Sequence, residues 1–281
     1  MANNSGRAKK IDLGNATWIS LLSQCIDSIG SDQFTDNLLS ALKSITDFDY
    51  SVSFAYHQNE KPICLFHIFS PAERVVFVDD YLKGPYLLDP FFKACGRKVD
   101  TGLFRLRDIA PDRFLQSEYY RSYYVRTGLA EEICYTFYLL NDVAVVISLM
   151  RSGESQRFSA REFRLLESVV PIVNSLAQRH WQAVPDWFEV DSTDLEPGDN
   201  PTIIENTVGA IFGPRITPRE TQVVAQVLEG HSSESIAKSL GISVGRYAFT
   251  AETFTPSSIF LRSRNCFQFF FRKSERCAHK H

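Results

Sequence analysis

The first part of the chain shows two hydrophobic patterns, one with helical spacing and one that alternates. Apolar residues recur every three or four positions over residues 17–29 and 31–45, which predicts two helices, the second capped by Ser31 or Asp32. Residues 50–57 and 62–69 alternate polar and apolar positions around a polar turn at 58–61, which predicts a β-hairpin. A second hairpin is predicted from 132–140 and 143–150, with the turn at Asn141 and Asp142.

One long helix is predicted after the second hairpin, because Ser159 and Glu162 have capping-box spacing and an apolar stripe runs from 163 to 176. Helix, helix, hairpin, variable middle, hairpin and long helix is an element order that resembles a GAF- or PAS-like module. The resemblance implies an α+β fold whose antiparallel sheet carries helices on one face and can hold a small ligand on the other. The long helix either pairs with its twin in a dimer or simply covers the sheet.

Charge is segregated along the chain, although the net charge is only −3. Residues 185–215 carry seven acidic residues and one basic residue, whereas 246–281 carry seven basic and two acidic residues. This segregation predicts separate units joined by a solvated acidic linker. We therefore divide the chain into a sensor domain at 1–184, a linker at 185–215 and a second, small all-α unit that begins at 216.

The second unit has the sequence signals of a helical pair followed by a turn. Thr217 is placed to cap a helix that has Glu220 as its capping-box partner and Gly230 as its end. A second, short helix is predicted over 234–240, and the turn at 241–243 places Ser243 to cap a third helix. A short helix, a glycine turn and a capped helix form the plan of a helix-turn-helix.

The segment ITPRETQVVAQVLEGHSSESIAKSLGIS resembles the start of the C-terminal domain of the LuxR family of transcription regulators. The resemblance implies a cytoplasmic, homodimeric regulator that responds to a small ligand and binds DNA through residues 216–245. The candidate DNA-contacting residues are Thr217, Arg219, Lys238, Ser243 and Arg246.

Residues 246–281 depart from the recognition helix that the family places next. Seven of the 22 phenylalanines lie in this tail, and Pro256 would interrupt a long helix. We hypothesise that a one-base loss near Gly245 and Arg246 shifted the reading frame. Codons for YAFTAETFTPS, read one base earlier, can give VRVHRGNIYAK, which fits the family's T-V-K-x-H-x-x-x-I-Y pattern. The tail is then expected to be disordered, the helix-turn-helix incomplete and specific DNA binding lost.

Aromatic residues and an Asp-Pro pair are the candidate ligand contacts of the sensor. The candidates are Tyr56, Tyr81, Tyr86, Asp89 and Tyr120. Lactone-binding sensors of the LuxR family use a pocket rich in tyrosine and tryptophan with an Asp-Pro pair, which Asp89 and Pro90 resemble. Asp89 could instead cap the helix that Pro90 begins, and the tyrosines of SEYYRSYY could be packing residues.

Tryptophan is missing from this stretch, since the three in the chain are Trp18, Trp181 and Trp187. This departure from the family pattern argues against recognition of an acyl-homoserine lactone. The ligand itself cannot be named from the sequence.

The remaining composition gives no sign of catalysis, cofactor binding or a membrane partner. The six cysteines occur singly, which fits a reducing cytoplasm better than a disulfide or zinc framework. His57 and His67 have no third ligand at suitable spacing, and no stretch approaches the length of a membrane helix. We expect a regulator and not an enzyme. The alternative is a sensor that binds no DNA and acts by pairing with a relative.

Overall fold

The computed structural model describes residues 16–58, 60–188, 204–205 and 216–243. Within these ranges the fold is α+β, as predicted: a five-stranded antiparallel sheet flanked by helices. The helices are α1 (Ala16–Asp27), α2 (Gln33–Ile45), α3 (Pro71–Arg74), α4 (Pro90–Gly96), α5 (Leu106–Ile109), α6 (Val125–Thr127), α7 (Ala160–Ser168), α8 (Val170–His180), α9 (Pro218–Glu229) and α10 (Ser233–Leu240). The strands are β1 (Tyr50–Tyr56), β2 (Ile63–His67), β3 (Gly102–Arg105), β4 (Leu129–Tyr138) and β5 (Ala144–Ser152).

The sheet has the strand order β2-β1-β5-β4-β3, so the two predicted hairpins lie side by side. In the β4–β5 hairpin, Tyr138 pairs with Ala144. Asn141 and Asp142 both have positive φ values, 57° and 58°, as a tight hairpin turn requires. Both predicted hairpins are therefore present.

One face of the sheet is covered by α1, α2, α7 and α8. Alternate residues of β4 and β5 point into this helical layer, because successive side chains of a strand face opposite sides. The β4 and β5 residues of this core are Ile133, Tyr135, Phe137, Val145, Ile147 and Leu149. Trp18 and Trp181 are buried in the same layer, which places two of the three tryptophans away from the opposite face.

The opposite face carries a second apolar cluster, to which the intervening strand residues contribute, among them Val52, Phe54, Val146 and Met150. Irregular helical turns between β2 and β4 cover this face, including π-helical stretches at Val75–Asp80 and Tyr120–Tyr124. The sheet is therefore buried on both sides, with regular helices on one and a tyrosine-rich irregular layer on the other.

Two arginines fix the helical layer to the sheet. Arg105 forms a buried ion pair with Glu131, whose other carboxylate oxygen accepts the Phe158 N–H at 2.6 Å. Arg151 donates to Glu162 at 2.7 Å. Burial raises the pKa of Glu162, but hydrogen bonds from Arg151 and from nearby hydroxyls outweigh it and lower the pKa to about 2.

The structure corrects two sequence predictions. The predicted single long helix is two helices, α7 and α8, which meet at Val169. Pro171 stands in the first turn of α8, where its missing N–H and its ring prevent a continuous helix. Asp32 precedes α2 but its side chain makes no capping hydrogen bond, because its own backbone is already helical, with φ −62° and ψ −19°.

Several predictions concern residues outside the described ranges. These residues are the turn residue Asn59, most of the linker, the helix expected after Ser243 and the whole of 246–281. At the start of the predicted linker, Pro185 and Phe188 are buried, and Phe188 packs in the helical core. None of the helices in the described part of the chain is long and apolar enough to cross a membrane.

Candidate functional site

A cavity lies between the sheet and the irregular layer. Its empty space is about 350 Å³ including the part open to solvent, of which about 30 Å³ admits the centre of a water molecule. The lining residues are Val52, Phe54, Tyr56, Phe77, Tyr81, Asp89, Tyr119, Tyr123, Tyr124, Thr127, Leu129, Glu132, Ser148 and Met150. An apolar concave space with a few converging polar groups is the usual form of a small-molecule site.

Asp89 caps a helix and also lines the cavity. One carboxylate oxygen accepts the Phe91 N–H at 2.8 Å and so caps α4, while the other accepts the Tyr81 hydroxyl at 2.7 Å inside the cavity. Burial raises the pKa of Asp89 to about 6, although both hydrogen bonds lower it. Asp89 is therefore a buried carboxylate held in a fixed orientation at the cavity wall.

A chain of hydroxyls continues from Asp89. The hydroxyls of Tyr56 and Tyr81 lie 2.9 Å apart. Because Tyr81 donates its proton to Asp89, Tyr56 donates to Tyr81. Burial raises the pKa of both tyrosines well above the usual value, so both hydroxyls are neutral at physiological pH. This chain of hydrogen bonds leaves the Tyr56 hydroxyl oxygen as an acceptor towards the cavity.

Glu132 is the charged residue of this site that sequence analysis missed. It lies on β4 between residues that point into the helical core, and it lines the cavity on the other face. Burial, and then the nearby Asp89 carboxylate, raise the pKa of Glu132 to about 8. The Cys134 thiol donates to its carboxylate at 3.7 Å, and Ser148 hydrogen-bonds to it as well. The only sequence signal for this residue was a glutamate within an alternating strand. Ordinary solvent-facing positions of strands carry the same residue type.

The predicted ligand contacts do not all line the cavity. Tyr56, Tyr81 and Asp89 do, whereas Tyr86 and Tyr120 lie just outside it. Tyr86 packs edge-on against Phe92, and Tyr120 stacks on Tyr124. Three further residues from the predicted tyrosine cluster, Tyr119, Tyr123 and Tyr124, contribute to the wall. The tyrosine cluster therefore includes both lining and packing residues.

The second unit begins as its sequence indicates. Thr217 and Glu220 form a reciprocal capping box at the start of α9, and Gly230 ends this helix with φ +95°. Ser232 caps α10, and Gly241 ends it with φ +63°. Among the proposed DNA-contacting residues, Thr217, Arg219, Lys238 and Ser243 are exposed, and Arg219 donates to Gln222 at 2.8 Å. Arg246 lies outside the described residues.

The start of the second unit docks on the sensor beside the cavity. The Arg113 N–H donates to the Gly230 carbonyl at 2.9 Å, and the Ser232 N–H donates to Asp112 at 2.9 Å. Lys93 and Glu229 form an ion pair at 2.8 Å in which both side chains are mostly buried. Val224 and Ala225 of α9 pack in the same apolar cluster as the cavity wall.

Metal binding has no support within the described ranges, where no group of three or more His, Cys, Asp or Glu side chains could hold an ion. His57 hydrogen-bonds to Glu60 at 2.7 Å, and His67 accepts the Phe69 N–H at 3.3 Å. His57 and His67 thus each use a ring nitrogen in a hydrogen bond to a residue close by in the sequence.

The sensor is similar in fold to a ligand-binding domain of known structure. The ligand-binding domain of VqsR from Pseudomonas aeruginosa aligns with a TM-score of 0.52 and 24% identity, covering 59% of this chain and 97% of that one. A protein of Aeromonas salmonicida, whose name describes an HTH-type transcriptional regulator in the exeN 3′ region, is 30% identical over 162 residues. That match covers 56% of this chain and 80% of the relative. The chain belongs to the LuxR family of transcription regulators.

Two further solved structures are similar to this LuxR-type chain. CepR2 from Burkholderia cenocepacia, an N-acylhomoserine lactone-dependent LuxR-family factor, aligns with a TM-score of 0.43 and 13% identity, over 59% of this chain and 97% of that one. SdiA from Escherichia coli aligns with a TM-score of 0.42 and 15% identity, over 83% of this chain and 87% of that one. No protein-family model matches the chain. The relatives are regulators and sensor domains, not enzymes.

Proposed function

We propose that this LuxR-type chain is a ligand-responsive transcription regulator, in which a small molecule in the cavity changes how α9 and α10 dock on the sensor. The proposal rests on one observation. A single segment, residues 111–124, contributes both to the cavity wall and to the contact with α9 and α10. Its first half provides Asp112 and Arg113, which bind the turn between α9 and α10. Its second half provides Tyr119, Tyr123 and Tyr124, which line the cavity.

The size of the cavity supports this coupling. Only about 30 Å³ admits the centre of a water molecule, so a ligand larger than a few atoms must displace lining side chains. Tyr123 stands on the π-helical stretch Tyr120–Tyr124 and Tyr119 immediately before it, six or more residues after the docking residues Asp112 and Arg113. A shift of these tyrosines therefore moves the segment that holds the second unit, and a ligand that binds one docking state better shifts the population towards it.

DNA binding enters the proposal through α9 and α10, which have the sequence and caps of the front half of a helix-turn-helix. Base readout requires the helix that follows Ser243, and the family pattern is absent from 246–281. We propose that the chain acts in the cytoplasm as a homodimer, and that this form has lost specific operator binding. Basic residues of the tail would retain a weak, salt-dependent attraction to phosphates.

The test has two arms on the full chain. A thermal-shift screen of small metabolites is expected to find ligands that raise Tm, because binding to the folded state stabilises it. Gel shifts with operators of an intact relative are expected to show no specific complex, whereas a chimera with that relative's segment in place of 246–281 forms one. Specific binding by the unaltered chain would refute the loss of readout, and a chimera that stays inactive would refute the helix-turn-helix assignment.

A second candidate function is a sensor that pairs with an intact relative and binds no DNA itself. The altered sequence of 246–281 favours it, since this segment replaces the groove-reading helix while the sensor remains complete in fold. Pull-down and size-exclusion chromatography against a full-length relative separate this function from homodimerisation.

A further inference from the structure

Two carboxylates face the cavity, and none of its described lining residues is basic. Asp89 uses both of its oxygens in hydrogen bonds with Phe91 and Tyr81. Within the described residues, Glu132 accepts from a serine hydroxyl and from a weakly donating thiol. A buried carboxylate is strongly disfavoured unless it is paired with a cation or protonated. An ionised Glu132 therefore has no cationic partner among the described lining residues, and a positively charged ligand would supply one.

Two basic residues close in sequence to lining residues form ion pairs with another acid. Arg126 donates to Asp80 at 2.8 Å, and Lys83 donates to the same carboxylate at 2.9 Å. Both basic side chains are more than half exposed. They form a surface network at the edge of the irregular layer and do not line the cavity, so the protein itself does not supply the missing cation from among its described lining residues.

Aromatic rings form most of the remaining wall. The aromatic lining residues are Phe54, Tyr56, Phe77, Tyr81, Tyr119, Tyr123 and Tyr124. Aromatic faces carry negative quadrupole potential and attract cations that have been stripped of water, and boxes of such rings with a carboxylate recognise quaternary ammonium groups. The aromatic rings and an ionised Glu132 thus both favour a positively charged ligand.

We propose that the cavity takes an organic cation, a ligand with a quaternary or protonated amine, held by the Glu132 carboxylate and the surrounding tyrosine rings. This inference rests on the proposed sensor function and names the chemical class of its ligand. Acyl lactones, the alternative class, are neutral and would leave an ionised Glu132 without a counter-charge.

The competing explanation is that Glu132 stays protonated and donates a hydrogen bond to a neutral ligand. The two explanations predict opposite pH dependence. A cation requires ionised Glu132, so its affinity rises with pH, whereas a neutral acceptor requires the protonated form, so its affinity falls. The other titratable or charged groups near Glu132 are Asp89, Cys134, the three tyrosines at 119, 123 and 124, and Arg126 at the edge.

The experiment compares two molecules of the same shape on the full chain. Choline carries a permanent charge, and 3,3-dimethyl-1-butanol is its neutral isostere. We expect choline to raise Tm more than the alcohol or an equal concentration of sodium chloride does. We also expect choline affinity, measured by calorimetry, to rise on the order of tenfold or more from pH 6 to pH 9 as Glu132 ionises. Choline has no titrating ammonium group, so the pH effect belongs to the protein.

Glu132→Gln keeps the shape and removes the charge, and Glu167→Gln makes the same change at an exposed position of α7 on the other side of the sheet. We expect E132Q to weaken choline binding at least about tenfold and E167Q to leave it unchanged. The pH profile of the unaltered chain tests the inference independently, should E132Q fail to fold. Equal effects of choline and the alcohol, or choline affinity that falls with pH, would overturn the inference. If octanoyl-homoserine lactone stabilises the chain and choline does not, the sensor function stands and the cation inference fails.

Discussion

Gly230 is the residue through which the coupling between sensor and second unit is most directly tested. It ends α9 with φ +95°, and a Cβ at this position would lie 2.8 Å from the Ser117 Cβ and 3.0 Å from the Arg113 carbonyl oxygen. Both distances are well below ordinary van der Waals contact, which begins at roughly 3.5 Å between carbons. Gly230→Ala therefore forces the end of α9 away from the sensor.

The effect can be estimated from two contributions. A left-handed conformation costs an alanine about 1–2 kcal/mol whether or not it touches anything. Displacement of the helix end also breaks the bonds from Arg113 to Gly230 and from Ser232 to Asp112, each worth about 1 kcal/mol. The free energy of docking should thus weaken by about 2 kcal/mol beyond the backbone penalty, which lowers the docking equilibrium constant about 30-fold.

Gly241→Ala is the matched control. Gly241 ends α10 with φ +63°, and a Cβ there meets nothing within 4 Å. Hydrogen exchange of the amides of Arg113 and Ser232 is the assay, since both amides bond across the contact. We expect exchange about 30-fold faster in G230A than in G241A, because the estimated loss of docking is specific to G230A. Equal protection in the two variants would refute the proposed docking contact.

Three further predictions concern the sensor. Asp89→Ala removes the cap of α4 and the acceptor of Tyr81, so it should lower the free energy of unfolding in urea by about 2–3 kcal/mol, whereas Asp89→Asn should retain most of the stability. Arg105→Met leaves Glu131 buried without its partner and should destabilise by about 3–5 kcal/mol, and the double change with Glu131→Gln should recover part of this loss in a double-mutant cycle. The pKa of Glu162 is lowered from 4.5 to about 2, so the stability it contributes is present above pH 4.5 and lost as the pH falls towards 2. Acid unfolding curves of Glu162→Gln should lack this pH-dependent loss, and a curve parallel to that of the unaltered chain would contradict the assignment.

Local patterns predicted the local structure well, because caps and tight turns depend on a few neighbouring residues. The boxes at Ser159 and Thr217, the turn at Asn141 and the glycine end of α9 are all as the sequence indicates. The break at Pro171 is also encoded locally, although the apolar stripe continues across it and suggests a single helix. Proline at that position should have divided the predicted helix.

Long-range packing determined what the sequence could not predict. Glu132 faces a cavity only because the irregular layer covers its side of the sheet, and no periodic pattern marks such a layer. Likewise, the contact between Asp112 and Ser232 joins positions 120 residues apart. The separation of Tyr120 from the lining residues depends on a π-helical stretch, which rotates the tyrosines relative to the regular helical spacing assumed from the sequence.

We propose that a ligand in the cavity acts on α9 and α10 through residues 111–124. Hydrogen-exchange mass spectrometry of the full chain, with and without a small molecule that raises its Tm, tests this proposal most directly. We expect binding to change protection at the cavity tyrosines and also at 111–117 and 226–233, where the two units meet. Changes confined to the cavity wall, with the docking peptides exchanging at the same rate, would contradict it.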